Sequence, residues 1–348
     1  MKKKLMNWYI PVLLINMVFL LYGCSKSETE ETYKGVDLNS IHYVNWMSMY
    51  ADPDFVSMGS LTIPGTHDAA ADYDHVPWID RRLYCTQKYN IKDQMHLGVR
   101  YFDLRLGYDI SHNPNGLGLY HKNIYLHQNF KDILEDALEF LNTYHTETLI
   151  FMVRQNHSSI SADEFWAWVE VDLNAANFPA DRILDFNPHT QYVQLPTLGQ
   201  CRKKLWLISL EEAEQFHGLY LNWPDNTKYY SSDYGYISYW VQDHYKLDWV
   251  HKSEKFNQVK SLINECRDQS QIDWDFNLYF NFMSGWEIWH GPKGVAEYMN
   301  PHVYYWLEGY HKSNPCGIVL MDFAGAELGG VPLLKSLISQ NFKISEKK

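Results

Sequence analysis

Two short stretches hold most of the groups able to move a proton or bind an anion: Ser60-Leu-Thr-Ile-Pro-Gly-Thr-His67-Asp68 and Gly98-Val-Arg-Tyr-Phe-Asp103-Leu-Arg105. His67 follows an apolar run and a Pro-Gly break, which sets its imidazole on a loop leaving a strand with Asp68 beside it. Asp103 and Arg105 lie two apart in an apolar, aromatic run, and side chains at that interval share one strand face. An unpaired charge on a buried face costs several kcal/mol, so this carboxylate and guanidinium must be paired or used. Imidazole titrates near neutral pH, and a guanidinium is a fixed fork of donors matched to phosphate oxygens. Acid, base and anion clamp together point to a phosphodiester. Either pair alone is as well explained by a hydrogen-bonded turn or a structural ion pair. Their joint appearance after consecutive strands favours a site, because sites on parallel barrels collect at the carboxyl ends of the strands.

The elements that must position these groups are legible as a pattern. Apolar, β-rich runs recur at 60–63, 99–106, 117–120, 148–153, 204–210, 236–241, 277–283 and 317–323, eight in all. Helical stretches at 132–143, 162–174 and 254–267 lie between several of them; in the first, Ile133, Leu134, Leu138 and Leu141 mark one face. Strand and helix in alternation predict a parallel sheet, and eight strands predict closure into an α/β barrel of the (β/α)8 TIM type. Neither an internal repeat nor an interior Gly/Ser/Pro-rich linker divides the chain, so residues 41–348 are expected to form one domain.

The start of the chain belongs to export rather than to the fold. Met-Lys-Lys-Lys precedes an apolar stretch from Trp8 to Tyr22 that is broken by Pro11 and Asn16, the order of parts of a signal peptide over residues 1–23. Leu21-Tyr-Gly-Cys24 resembles a bacterial lipoprotein box, which implies that Cys24 becomes a lipid-modified first residue. The polar, Glu- and Thr-bearing segment that follows reads as a flexible tether over residues 24–40. The expected location is the bacterial cell envelope, lipid-anchored and extracytoplasmic. The four remaining cysteines, Cys85, Cys201, Cys266 and Cys316, have no C-x-x-C spacing, so a zinc site has no support; disulfides and buried thiols both remain open. A formal charge of −12 argues against a nucleic-acid partner and against strong attraction to anionic membranes. The 26 Tyr, 13 Trp and 16 Phe suit a large core, sugar stacking or an interface.

With these strands placed, the chain resembles the bacterial phosphatidylinositol-specific phospholipase C family, the X-domain type of distorted barrel, from about Trp46 to Leu337. The resemblance rests on motifs in one order: Pro-Gly-Thr-His67-Asp68, Gly-Val-Arg-Tyr-Phe-Asp103-Leu-Arg105, Tyr120-His121, Glu147-Thr-Leu-Ile-Phe, Val241-Gln-Asp243-His-Tyr245, Asn281-Phe-Met-Ser-Gly, Met299-Asn-Pro and Val319-Leu-Met-Asp322-Phe. It implies that the inositol 2-hydroxyl attacks its own phosphorus, expelling diacylglycerol and leaving inositol 1,2-cyclic phosphate. His67 is then the base, His121 the acid and Arg105 the phosphate clamp, with Asp322 orienting His67, Asp68 supporting His121 and Asp103 beside the clamp. Arg154, Asp243 and Tyr245 are the implied inositol contacts. For them the alternatives are a surface arginine and an ordinary strand-end turn.

Arg105 also implies that no metal or other cofactor is needed, since a guanidinium takes the space a hard cation would share with several oxygen ligands. A calcium site built from Asp103, Asp109 and Asp243 is the alternative. One departure concerns the fifth strand, where relatives often carry a basic residue and this chain reads Ser209-Leu-Glu211. The resemblance implies phosphatidylinositol or a glycosylphosphatidylinositol as substrate, and this departure leaves glycosylated and phosphorylated inositols open. Arg82-Leu-Tyr-Cys-Thr86 resembles the family's lipid-touching rim helix, and Trp286, Ile288 and Trp289 follow another strand end. Two other readings share the motif residues, a metal-dependent glycerophosphodiesterase-type barrel and a non-catalytic inositol-glycan-binding protein. His112, His145, His290 and His311 match no motif.

Overall fold

The computed structural model describes residues 42–187, 189, 194–213, 218–247, 251–269, 271–309 and 314–342. The expected signal peptide, Cys24, the tether and His311 lie outside the described residues.

The strands are β1 (Thr62–Thr66), β2 (Tyr101–Gly107), β3 (Gly118–His121), β4 (Ile124–Asn129), β5 (Leu149–Gln155), β6 (Leu205–Ser209), β7 (Leu219–Tyr220), β8 (Tyr230–Tyr234), β9 (Ile237–Gln242), β10 (Asn277–Phe282) and β11 (Gly317–Met321). The helices are α1 (Arg81–Tyr84), α2 (Ile91–Leu97), α3 (Phe130–Thr143), α4 (Ala162–Ala175), α5 (Leu198–Cys201), α6 (Lys252–Asp268), α7 (Gln271–Trp274), α8 (Gly291–Glu308) and α9 (Gly330–Gln340). β6 and β11 are buried at every residue, as is Leu149–Val153 of β5, and they are apolar almost throughout. Unbroken apolar runs of this kind are what a parallel sheet needs when side chains fill one face and helices cover the other. α3 covers its share by burying Phe130, Ile133, Leu134, Ala137, Phe140 and Leu141, a helical spacing.

Neighbouring strands follow the order β7-β6-β5-β2-β1-β11-β10-β9-β8, parallel at every pair except β8 with β9. The architecture is the expected distorted (β/α)8 barrel, although one of its eight parallel strands differs from those read in the sequence. Leu117–Tyr120 is not a barrel strand: β3 runs antiparallel to β2 and pairs with β4 as a hairpin. The parallel position it was expected to fill belongs to the two-residue β7. Among the described residues no ladder joins β7 to β9. Tyr239 bridges that seam instead, its hydroxyl donating to the Asn222 carbonyl at 2.6 Å.

The pole at the strands' amino ends is closed by the 3-10 segment Tyr43–Met49, whose Trp46 is buried and donates Nε1–H to the Gly98 carbonyl at 3.0 Å. Beneath it Arg100 and Glu147 form a fully buried pair, with Nε and Nη2 reaching Oε2 at 3.0 and 2.7 Å. Two of the quoted motifs, Gly-Val-Arg and Glu147-Thr-Leu-Ile-Phe, thus meet at the pole away from the site. Removing one partner of such a pair costs about 3–5 kcal/mol. The cysteine question also resolves: Cys85, Cys201, Cys266 and Cys316 are all buried free thiols.

Candidate active site

β1 delivers His67 through an unusual strand sequence. Pro64 lies inside it, although proline cannot donate to a ladder. Its carbonyl accepts from Arg100 N at 3.0 Å, so its missing N–H faces β2 as well, where pairing starts only at Gly65 with Tyr101. No ladder bond is lost. At Gly65 a Cβ would stand 3.1 Å from that of Tyr101 and 3.2 Å from Leu320 Cγ, so the crowded barrel interior admits little else. After His67 the backbone turns left-handed at Asp68 (φ 44°), a conformation that costs a non-glycine residue energy and is characteristic of functional sites. Both side chains thereby come to the strand-end face.

The charged groups form one connected array. His67 Nδ1 donates to Asp322 Oδ1 at 2.9 Å, and Arg105 Nη2 donates to His67 Nε2 at 2.7 Å. A guanidinium can only donate, so Nε2 carries the lone pair and the hydrogen sits on Nδ1. Arg105 Nη1 lies 3.3 Å from Asp68 Oδ2, which in turn is 2.5 Å from His121 Nδ1. The two histidines therefore share one arginine and one carboxylate. Asp103, buried below them, accepts Nε and Nη2 of Arg154, both at 2.9 Å, and contacts Arg105 Nη2 at 3.4 Å. Burial pushes the Asp103 carboxyl up, but Arg154 and Arg105 outweigh it and hold it well below the usual carboxylate range. Asp68 behaves likewise, with Arg105 and then His121 overcoming the burial. Asp322 goes the other way: burial raises it and His67 offsets only part of the rise. Arg105 Nε and Asp322 Oδ2 are buried without a protein partner.

His121 ends β3, and the hairpin is tied to the outer layer by Asp172 of α4, whose Oδ2 accepts from Leu117 N at 2.8 Å. Burial raises Asp172 to about 6. The implied inositol contacts sit around the array. Arg154 has two of its nitrogens engaged by Asp103, leaving Nη1 outside that pair. Asp243 is buried after β9 and accepts from Trp223 Nε1 at 3.3 Å, while the Tyr245 hydroxyl donates to Asp225 at 2.8 Å. Glu211, at the end of the departing Ser209-Leu-Glu211 segment, takes Gln155 N on one oxygen at 2.9 Å, and burial raises its carboxyl. The alternative calcium set is not assembled: Asp103 is bound by two arginines, while Asp109 accepts from Ser111 and His112 on an outer loop. Among the described residues no three His, Cys, Asp or Glu side chains gather as metal ligands.

Three positioning residues escaped the sequence reading. Gln87, fully buried after α1, donates to the carbonyls of His67 and Met321, each at 3.0 Å, and accepts from Ala324 N. It clamps the backbones that carry the His67–Asp322 pair. Thr86 Oγ1 holds the Asp68 carbonyl at 2.8 Å, and Asn300 Nδ2 of α8 holds that of Asp322 at 3.0 Å. Asn300 stood in the Met299-Asn-Pro motif without a role, and Thr86 was read as the end of a lipid-touching helix, whereas α1 stops at Tyr84 and Thr86 is buried; Gln87 sits in an irregular segment that no periodicity marks.

No family model matches the chain. A curated 1-phosphatidylinositol phosphodiesterase of Listeria monocytogenes is 24% identical over 343 residues, covering 96% of this chain and 98% of that protein. One from Staphylococcus aureus strain Newman is 26% identical over 296 residues, covering 81% and 88%. Among solved structures, a point mutant of the phosphatidylinositol-specific phospholipase C from Staphylococcus aureus superposes with a TM-score of 0.75 at 22% identity, over 89% of this chain and all of that one. The Listeria monocytogenes enzyme gives 0.67 at 22% identity, over 86% and 99%. Over most of its length the chain is similar in sequence to curated bacterial 1-phosphatidylinositol phosphodiesterases, and its distorted barrel is the fold of the bacterial phosphatidylinositol-specific phospholipases C of known structure.

Proposed function

We propose that the chain is a phosphatidylinositol diacylglycerol-lyase working by histidine acid–base catalysis. The observation that carries this reading is the array in which His67 and His121 are joined through Arg105 and Asp68. In the free protein the Arg105 guanidinium covers His67 Nε2. A phosphodiester anion competes for that guanidinium, and drawing it away frees the lone pair beside the 2-hydroxyl. His67 Nε2 takes the hydroxyl proton, the oxygen closes on phosphorus, and the bond to the glycerol oxygen breaks as His121 protonates it. Asp322 fixes the tautomer of His67 and balances the imidazolium as it forms, while Asp68 orients His121 and balances its charge until the proton is given up. Arg105 faces the charge that develops on phosphorus. Diacylglycerol leaves, and inositol 1,2-cyclic phosphate remains.

A membrane substrate also requires access, and the rim supplies apolar side chains for it. Trp78, Ile79, Ile288 and Trp289 are 79, 70, 61 and 66% exposed, on the loops before α1 and α8. These loops adjoin, since Gly291 packs against the Arg82 carbonyl. Cys24 as a lipid anchor would hold the enzyme at an envelope membrane. Palmitate labelling of the wild type and not of Cys24→Ala is the expected result. The reaction itself is tested by phosphorus NMR of purified protein with phosphatidylinositol and chelator. A cyclic inositol phosphate signal is expected; its absence with a folded protein would overturn the assignment, and restoration by a divalent cation would favour the metal-dependent reading.

A further inference from the structure

Lys255 lies in the first turns of α6 and is fully buried, on the face that carries Val259, Leu262 and Cys266. A leucine there would cost nothing electrostatically, whereas a buried amine has to recover its lost hydration from the protein. Among the described residues no carboxylate bonds to it. Its Nζ instead donates to Gln242 Oε1 at 2.8 Å and to the His244 carbonyl at 2.7 Å. Gln242 Oε1 also accepts from His244 N at 3.0 Å, and its Nε2 donates to Asn281 Oδ1 and the Phe282 carbonyl on β10. The residues on either side of His244 are Asp243 and Tyr245, so one amine and one amide bind both backbone groups at the centre of this loop. Burial lowers the Lys255 ammonium to about 7, with Asp243 and then Asp322 the carboxylates that pull it back up.

We infer that Lys255 is a positioning residue for inositol recognition, holding the Asp243–Tyr245 loop without touching the substrate. This inference rests on the proposed lyase activity and deepens it. Without the amine, the His244 carbonyl is left unpaired in the interior and the loop is free to shift, so binding weakens while the His67–His121 array is untouched.

The test uses the full chain and a short-chain phosphatidylinositol below its micellar concentration. Lys255→Met is expected to raise KM about tenfold, with kcat within about threefold of wild type. It should also raise the inhibition constant of free myo-inositol in parallel. Combined with Asp243→Asn, its effect on KM should be much smaller than in the wild-type background, since the loop that Lys255 holds acts on the substrate through the Asp243 side chain. An unchanged KM, a fall confined to kcat, or KM effects that multiply independently would each overturn the inference. Should Lys255→Met not fold, Lys255→Gln keeps one donor and carries the same measurements. A wild type that does not cleave the lipid at all would instead refute the activity on which the inference rests.

Discussion

Asp322 and Asp103 are both buried at the strand ends, yet their surroundings push them in opposite directions, and this separates their roles. Asp103 is held low by two arginines, so its pairing contributes stability that is present above the ordinary carboxylate value of about 3.9 and is lost as pH falls below it. Asp103→Asn should therefore lower stability at pH 7 by about 3–5 kcal/mol, with the difference from wild type shrinking below pH ~4, as read by denaturant unfolding across pH. Asp322 is raised, so stability falls as pH climbs from the ordinary carboxylate value toward the raised one, and the full cost is in place above it. Asp322→Asn should leave thermal stability at pH 7 equal or higher while cutting kcat on the order of 10⁴-fold, because the amide no longer enforces the Nδ1–H tautomer of His67. A variant that lost both stability and activity would show Asp322 to be a structural anchor. At this scale the sequence carried the groups of the charged array, since Asp103 and Arg105 follow strand parity and His67 and Asp68 stand where a strand run ends. It did not carry Gln87, whose value lies in the three backbone groups it happens to reach.

Among the elements, the β3–β4 hairpin is where pattern reading failed for a physical reason. Leu117-Gly-Leu-Tyr120 is buried throughout, and such a run looks the same whether its neighbours are parallel or antiparallel. β7 has only two paired residues, too few for any periodicity. The hairpin matters because it carries His121, and α4 secures it through the Asp172 carboxylate. That group sits near 6, above the unfolded value of about 3.9, so ionising it costs stability progressively between those two pH values. Asp172→Asn keeps an acceptor for Leu117 N and loses the charge. It is expected to match wild type near pH 4 and to exceed it by about 1–3 kcal/mol at pH 7.5, with kcat unchanged. Asp172→Leu, which strands the Leu117 amide, should lower kcat through His121. Equal pH dependence of Asp172→Asn and wild type would remove Asp172 from the account.

The whole molecule is polar along the barrel axis. Its amino-end pole is sealed by Tyr43–Met49 and the Arg100–Glu147 pair, and its carboxyl-end pole holds the charged array beneath a rim of exposed aromatic and aliphatic side chains. A formal charge of −12 gives that rim no general electrostatic attraction to anionic lipid, so adsorption has to come from apolar burial. Each large side chain that leaves water contributes about 1.5–3 kcal/mol when fully buried, and an interfacial ring recovers part of that. Trp78→Ala and Trp289→Ala should each weaken binding to phosphatidylcholine vesicles about fivefold to thirtyfold, and raising salt from low to physiological strength should change wild-type binding little. Turnover of monomeric short-chain substrate should stay within about twofold, because neither ring belongs to the array. Sedimentation of vesicles with the two variants separates this from a packing role: equal losses on vesicles and on monomers would mean the rings hold the loops before α1 and α8 rather than the membrane.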